Sequence, residues 1–339
     1  MTDTSTTAPA QPGSDFTPLL QAVRHSGLLR LRRGRYAVTI AADTIAFAAV
    51  WAAILLVGNT WWQILLAVPA ALFTVRMIFI GHDVAHRQVA KTHRVNTALG
   101  LVVGDVIVGL SSKWWMSKHN RHHANPNEVG RDPDVEEGIV SWTPTQVASR
   151  VVGRARLSWV TRNQGRLFLP LLLLESWNMH IGSLRRTRGV RDFSLHLVHV
   201  TAYLGLLLVA MGPFKAAVFV VAHQALVGLH LGCAFAPNHV GMPMPPAGSR
   251  WDFMRKQVLT TRNVSGGRAI EWLLGGLNYQ IEHHLFPSMP RPHLRKARRL
   301  VRAHCASLGL PYVEASLLRS MATAVVHLHR VGRSDEAEV

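Results

Sequence analysis

Histidines carry the first chemical signal in this chain. His119, His122 and His123 fall within the five residues "HNRHH". "HDVAH" sets His82 and His86 four apart, and "QIEHH" ends in His283 and His284, with Gln280 where the second run has its first histidine. His239 closes "FAPNH". Side chains three or four apart on a helix share a face, so each run presents its imidazoles as a set, and imidazoles left unpaired in apolar surroundings are costly. Eight exceed what one zinc ion takes, and the His-Glu-x-x-His signature of zinc peptidases is absent. Two iron ions with about four to five ligands each would use all eight and leave positions for water or oxygen, and imidazole suits iron. Cys233 and Cys305 stand far apart without Cys-x-x-Cys spacing, which argues neither a disulfide framework nor a thiolate zinc site.

The elements that must position these residues look like membrane. The chain has 339 residues, is 48% hydrophobic and carries a formal charge of +18, a balance that favours anionic headgroups or an acidic protein as surroundings. Nucleic acid is the weakest candidate, because the basic residues flank apolar spans and form no recognised module. A Thr-, Ala- and Pro-rich tail over residues 1–23 reads as disordered. Spans are expected at about 36–57 and 61–80, turning at "GNTWW", and at 195–211 and 214–235, turning at "GP". Arginines before the first span place that end in the cytoplasm. Residues 166–184 read as interfacial, since Glu175, Asn178 and His180 do not suit lipid and a basic loop follows. Residues 98–110, with three glycines and Asp105, are too short to cross. Every histidine run then lies on one face. Asp43 and Arg76 fall at similar depth in the first hairpin, which predicts a mutual contact.

The set "GHDVAH", "HNRHHANPNEVGRDPDV", "FAPNHVGMP" and "GGLNYQIEHHLFPSMPR" closely resembles the membrane fatty acid desaturases of the acyl-lipid and front-end type, over about residues 36–310. The resemblance implies an all-α integral membrane protein, four transmembrane helices in two hairpins under a cytoplasmic helical cap that carries a di-iron site. Its desaturase domain would run over 24–310, with 311–339 as a cytoplasmic extension. Carried over by position, His82, His86, His119, His122, His123, His239, His283 and His284 look like iron ligands. Gln280 matches a variant third motif, and Asn238 would act through a bound water. Oxygen is then the co-substrate, and a fatty acyl lipid or acyl thioester the substrate. No His-Pro-Gly-Gly stretch of a fused heme domain occurs, so two electrons are expected from a separate, ferredoxin-like carrier.

Other residues have competing readings. Asp132 and Asp134 would orient ligand histidines by accepting their second N–H, or simply form a turn. Trp114 and Trp115 would wall an acyl path or anchor at the interface. His223 and His230 share a helix face and read first as packing, His180, His196 and His199 as interfacial, and His93, His304, His327 and His329 as solvated. The run 291–304 sets Leu294, Ala297 and Val301 against Arg295, Lys296, Arg298, Arg299 and Arg302, a basic amphipathic helix suited to docking the donor or to binding lipid. A hydroxylase, ketolase or alkane monooxygenase would use similar motifs, and a polytopic metal-binding transporter is the alternative from another class.

Overall fold

A long apolar segment in lipid must satisfy its backbone internally, and a helix does so. The computed structural model describes residues 14–153 and 159–334. It opens with α1 (Phe16–His25), α2 (Arg33–Leu56), a 3₁₀ turn at Trp61–Leu66 and α3 (Ala67–Ala85). Then come α4 (His93–Gly100), a π-helical segment at Leu101–Val108 and α5 (Ser112–Ala124). Short helices α6 (Pro144–Gly153), α7 (Trp159–Arg162), α8 (Gln164–Leu172) and α9 (Glu175–Arg186) lead to α10 (Val190–His239). The rest is α11 (Phe253–Leu259), β1 (Asn263–Ser265), α12 (Gly267–Leu273), α13 (Gln280–Leu285), α14 (Arg291–Ser307), β2 (Glu314–Ser316) and α15 (Leu317–Val331).

Three helical segments are long and apolar enough to cross a membrane: Arg33–Leu56, Trp61–Ala85 and Val190–His239. The third reverses on itself. Gly212 sits at φ 69°, ψ 171°, outside helical space, and Pro213 follows it. Tyr203 Oη and His223 Nδ1, twenty positions apart, lie 2.9 Å from each other, where a straight helix would separate them by about 30 Å. Each arm is long enough for the hydrocarbon thickness of ~20 residues. A further candidate is the pair His93–Val108 and Ser112–Ala124, bent by 107° as in a broken span or re-entrant loop; it contains the segment expected to be too short to cross. The stretch 166–184 divides between α8 and α9, each shorter than a span. Its junction presses on α10 where Gly228 and Gly232 leave room, for a Cβ on Gly228 would meet the Leu172 carbonyl at 2.6 Å. Small residues let helix backbones approach closely in this way.

Inside the first hairpin, Asp43 and Arg76 form the expected pair at 2.8 Å, both buried. Arg76 also donates to the Trp272 carbonyl at 2.7 Å and lies over that indole. Removing one partner of such a buried pair costs about 3–5 kcal/mol.

Three expectations need correction. The tail does not extend to residue 23: residues 1–13 lie outside the described residues, but Phe16–His25 is helical and buries Leu19 and Val23 against α14. The all-α reading meets one exception, a two-stranded parallel sheet pairing β1 with β2, Asn263 opposite Glu314. Residues 311–339, expected as an extension, are woven in as far as they are described. Beyond β2, α15 packs against α8, burying Phe168, Leu172, Ala324 and Leu328 together. Three-residue strands carry too little alternation to be read from sequence.

Candidate metal centre

Each histidine run is delivered by a helix end. α3 brings His82 and, at its C-cap, His86; α5 brings His119, His122 and His123; α10 ends at His239; α13 carries His283 and His284. Four sequence-distant elements thereby converge. The eight imidazoles divide into two groups. His82, His86, His119, His123 and His283 form one, with ligand nitrogens all within 4.8 Å of one another; His122, His239 and His284 form the other. Because α5 turns 100° per residue, adjacent His122 and His123 serve different groups. The groups touch where His123 stacks on His284 at 4.3 Å.

In the larger group the ring nitrogens face one another edge to edge. His86 Nε2 and His119 Nε2 are 2.9 Å apart, His119 Nε2 and His123 Nε2 3.0 Å, and His123 Nε2 and His283 Nε2 3.1 Å. An imidazole nitrogen has one proton or one lone pair, so three consecutive contacts cannot all be hydrogen bonds. A shared cation satisfies them together. Bonds of ~2.1 Å from a metal to nitrogen place neighbouring ligands about 3.0 Å apart in octahedral geometry and about 3.4 Å apart in tetrahedral geometry. The observed spacings are of the size that ligands of one shared metal ion take. His82 Nε2 is buried with no partner. Burial, reinforced by neighbouring imidazoles, holds His86, His119, His123, His283 and His284 well below the usual histidine range. All five are therefore neutral, the ligating form. The residues present fit a pair of metal ions.

Hydrogen bonds fix the smaller group. His122 Nδ1 lies 2.9 Å from Asp132 Oδ2, which also accepts the Asn127 N–H at 2.7 Å. Asp134 approaches the same nitrogen at 3.3 Å while paired with Lys118. Burial lowers the His122 pKa, but the two carboxylates outweigh it and the net shift is upward. A carboxylate on Nδ1 fixes the tautomer and makes Nε2 a more basic ligand. Asp132 lies where an orienting carboxylate would, and it also accepts the backbone N–H groups of Asn127 and Asp134 as a turn residue does. Asn238 is buried beside His239, its Nδ2 donating to Ala234 and its Oδ1 without a partner. Gln280 Nε2 lies 3.0 Å from His239 Nε2, and its Oε1 is likewise unpartnered.

Several positioning residues escaped the sequence reading. Gln257 accepts from His284 Nδ1 at 2.9 Å and donates to the His123 carbonyl at 3.0 Å; nothing in its surroundings marks it. Asp83 receives Arg291 at 2.7 Å and lies 3.5 Å from His82 Nδ1. Its place inside "GHDVAH" was the available signal. Glu282, inside the third run, accepts from Asn263 and Tyr312, each at 2.8 Å. Burial pushes its pKa up to about 7.

A cavity of about 380 Å³ opens beside the larger group, lined by His82, Trp115, Ile78, Val103, Val108 and Leu110 among others. Trp115 stacks on His119 at 4.3 Å and so walls this space, whereas Trp114 packs under Gly182. Several of the other histidines bond elsewhere. His223 contacts Tyr203 and Thr74, and His230 meets the Leu273 carbonyl. His180 and His199 meet carbonyls of 109 and 106. His304 and His327, expected in solvent, are half-buried against the carbonyls of Asp15 and Trp142. On α14, Arg295 pairs with Glu271 and Arg298 with Glu314. Lys296, Arg299 and Arg302 are exposed, with no ion-pair partner among the described residues.

The family model described as "Fatty acid desaturase" matches residues 59–316. The acyl-lipid (9-3)-desaturase of Physcomitrium patens is 28% identical over 322 residues, 89% of this chain and 60% of the relative. The delta(6)-fatty-acid desaturase fat-3 of Caenorhabditis elegans is 28% identical over 322 residues, 88% of this chain and 70% of the relative. The delta(5) fatty acid desaturase fat-4 of the same organism reaches 33% over 251 residues, 68% of this chain and 55% of the relative. The chain thus spans between about half and 70% of the length of these relatives. With every histidine run but none of the N-terminal tail inside the matched region, the chain belongs to the fatty acid desaturase family.

Proposed function

We propose that the protein is a membrane fatty acyl desaturase that uses oxygen and two external electrons to place a double bond in an acyl chain. The balance is an alkyl –CH₂–CH₂– unit plus O₂, two electrons and two protons, giving –CH=CH– and two waters. The observation that carries this reading is the juxtaposition of two clustered imidazole groups with an apolar cavity that reaches His82. His82, His86, His119, His123 and His283 would hold one iron. His122, His239 and His284 would hold the other, with Asn238 and Gln280 beside it. When bound, the metal pair supplies an oxidant strong enough for a C–H bond that has no acidity to exploit. The chain's own residues seat the acyl chain between Ile78, Val108 and Trp115, exclude water from that space and keep the imidazoles oriented through Asp132 and Gln257.

The same reading assigns the segments around Arg33–Leu56, Trp61–Ala85 and the two arms of α10 to the membrane. Arg24, Arg30, Arg32, Arg33 and Arg35 before the first favour a cytoplasmic site. A ferredoxin-like donor would dock on that face. On α14 the free charges suited to it are Lys296, Arg299 and Arg302, since Arg295 and Arg298 are already paired with carboxylates. The test is fatty acid profiling, with double-bond localisation by mass spectrometry, of a host expressing the protein. New unsaturation should appear with the wild type and vanish with His122→Ala or His283→Ala at equal membrane abundance. Undiminished product from both variants would overturn the assignment.

A further inference from the structure

The cavity beside His82 has a charged mouth. Arg87, Lys113 and Arg191 line it and are exposed, and none has an ion-pair partner among the described residues. Asp192 is the one carboxylate among the lining residues. Three permanent cations against one anion leave the mouth electropositive, directly above an apolar interior.

Arg87 is built into this position. It adopts φ 57°, a left-handed conformation unusual for a residue other than Gly, Asn or Asp. Its neighbour Gln88 is buried and pinned to the Pro287 carbonyl at 2.8 Å, and the Asn96 side chain closes the following loop onto Ala90. Strain of this kind persists only where the surroundings over-determine it. Apolar side chains adjacent in sequence to lining residues stand exposed: Val95 beside Asn96, Val102 beside Leu101 and Val103, and Val190 and Phe193 flanking Arg191 and Asp192. A mouth that opened only to water would leave these uncovered. One flanked by lipid would cover them and put the cations at headgroup height.

Resting on the acyl desaturase reading, we propose that Arg87, Lys113 and Arg191 form a headgroup subsite for the phosphate of a membrane glycerophospholipid, whose acyl chain enters the cavity sideways from the bilayer. Guanidinium groups suit phosphate because their forked donors meet two oxygens at once. The chain then descends past Trp115 toward His82 while its phosphate stays at the rim.

The test uses the purified, iron-loaded protein in detergent and native mass spectrometry with three probes of equal acyl length: distearoyl phosphatidylglycerol, distearoylglycerol and stearoyl-CoA. The wild type should retain the phospholipid at least fivefold better than the phosphate-free diacylglycerol. Arg87→Asn/Lys113→Gln/Arg191→Gln should abolish that preference with iron content unchanged, asparagine being chosen because it tolerates the left-handed backbone. The charge-conserving variant Arg87→Lys/Lys113→Arg/Arg191→Lys should restore it, which separates loss of charge from misfolding. Equal retention of the phospholipid by wild type and neutralised variant overturns the subsite, as does preferential retention of stearoyl-CoA by the wild type. Phospholipid preference without double-bond formation from any probe leaves the subsite standing and counts against the reaction.

Discussion

The two histidine groups are built on different principles. The group of five is composed almost wholly of imidazole, with Trp115 stacked on one member. His123 Nδ1 and His283 Nδ1 are buried with no partner, and His82 reaches Asp83 only at 3.5 Å. Packing aims these rings. In the group of three, His122 and His284 are aimed by hydrogen bonds, to Asp132 and Gln257 at 2.9 Å each, and two amide oxygens, of Asn238 and Gln280, lie buried without partners. One group has ligands to spare; the other depends on residues outside the histidine runs. Metal at the second should therefore be the more easily lost.

Removal of single histidines should give the largest effect and the clearest contrast. His283→Ala and His284→Ala should both drive desaturation below detection, more than about two orders of magnitude. Elemental analysis should nonetheless separate them, with about one iron per chain left in His284→Ala and more than one in His283→Ala, because four imidazoles still hold a metal and two do not. Equal losses would erase the distinction. Next in size is Asp132→Asn. Losing a partner that orients a ligand typically costs 10–100-fold in metal affinity or activity, and a chelator titration should show the weaker step at one ion of the two. The smallest effect is expected for Gln280→Ala, a severalfold fall in turnover with iron content near the wild-type value. A total loss of iron in that variant would mean that Gln280 holds metal as firmly as a histidine does.

The sequence made one part of this comparison readable and hid the other. Histidines at three- and four-residue spacing announce themselves, because helix geometry turns spacing into a shared face. The first hairpin was equally plain, and the charges of Asp43 and Arg76 had too few partners available in an apolar hairpin to do otherwise than meet. How the eight rings divide was not legible: helix geometry parts His122 from His123, but which partners each meets is fixed only by the docking of α5, α10 and α13. Gln257 stands 27 positions before His284 on a helix of seven residues with no motif around it. The helix Phe16–His25 was missed because its burial depends on α14, at the other end of the chain.

The pairing of Asn263–Ser265 with Glu314–Ser316, together with the bond from Tyr312 to Glu282, sets an order of assembly. A chain made from its N-terminus presents its first two histidine runs early, although α3, which carries the first, packs chiefly against the later α10. The third run leaves the ribosome before the strand and the tyrosine that fasten it exist. Until they arrive, Glu282 is a carboxylate short of one of its two donors, and α13 is held by Gln257 and Asn263 on the elements before it. The third run is therefore fastened from the far end of the chain, and a chain cut short of Tyr312 would offer metal a less firmly held cage.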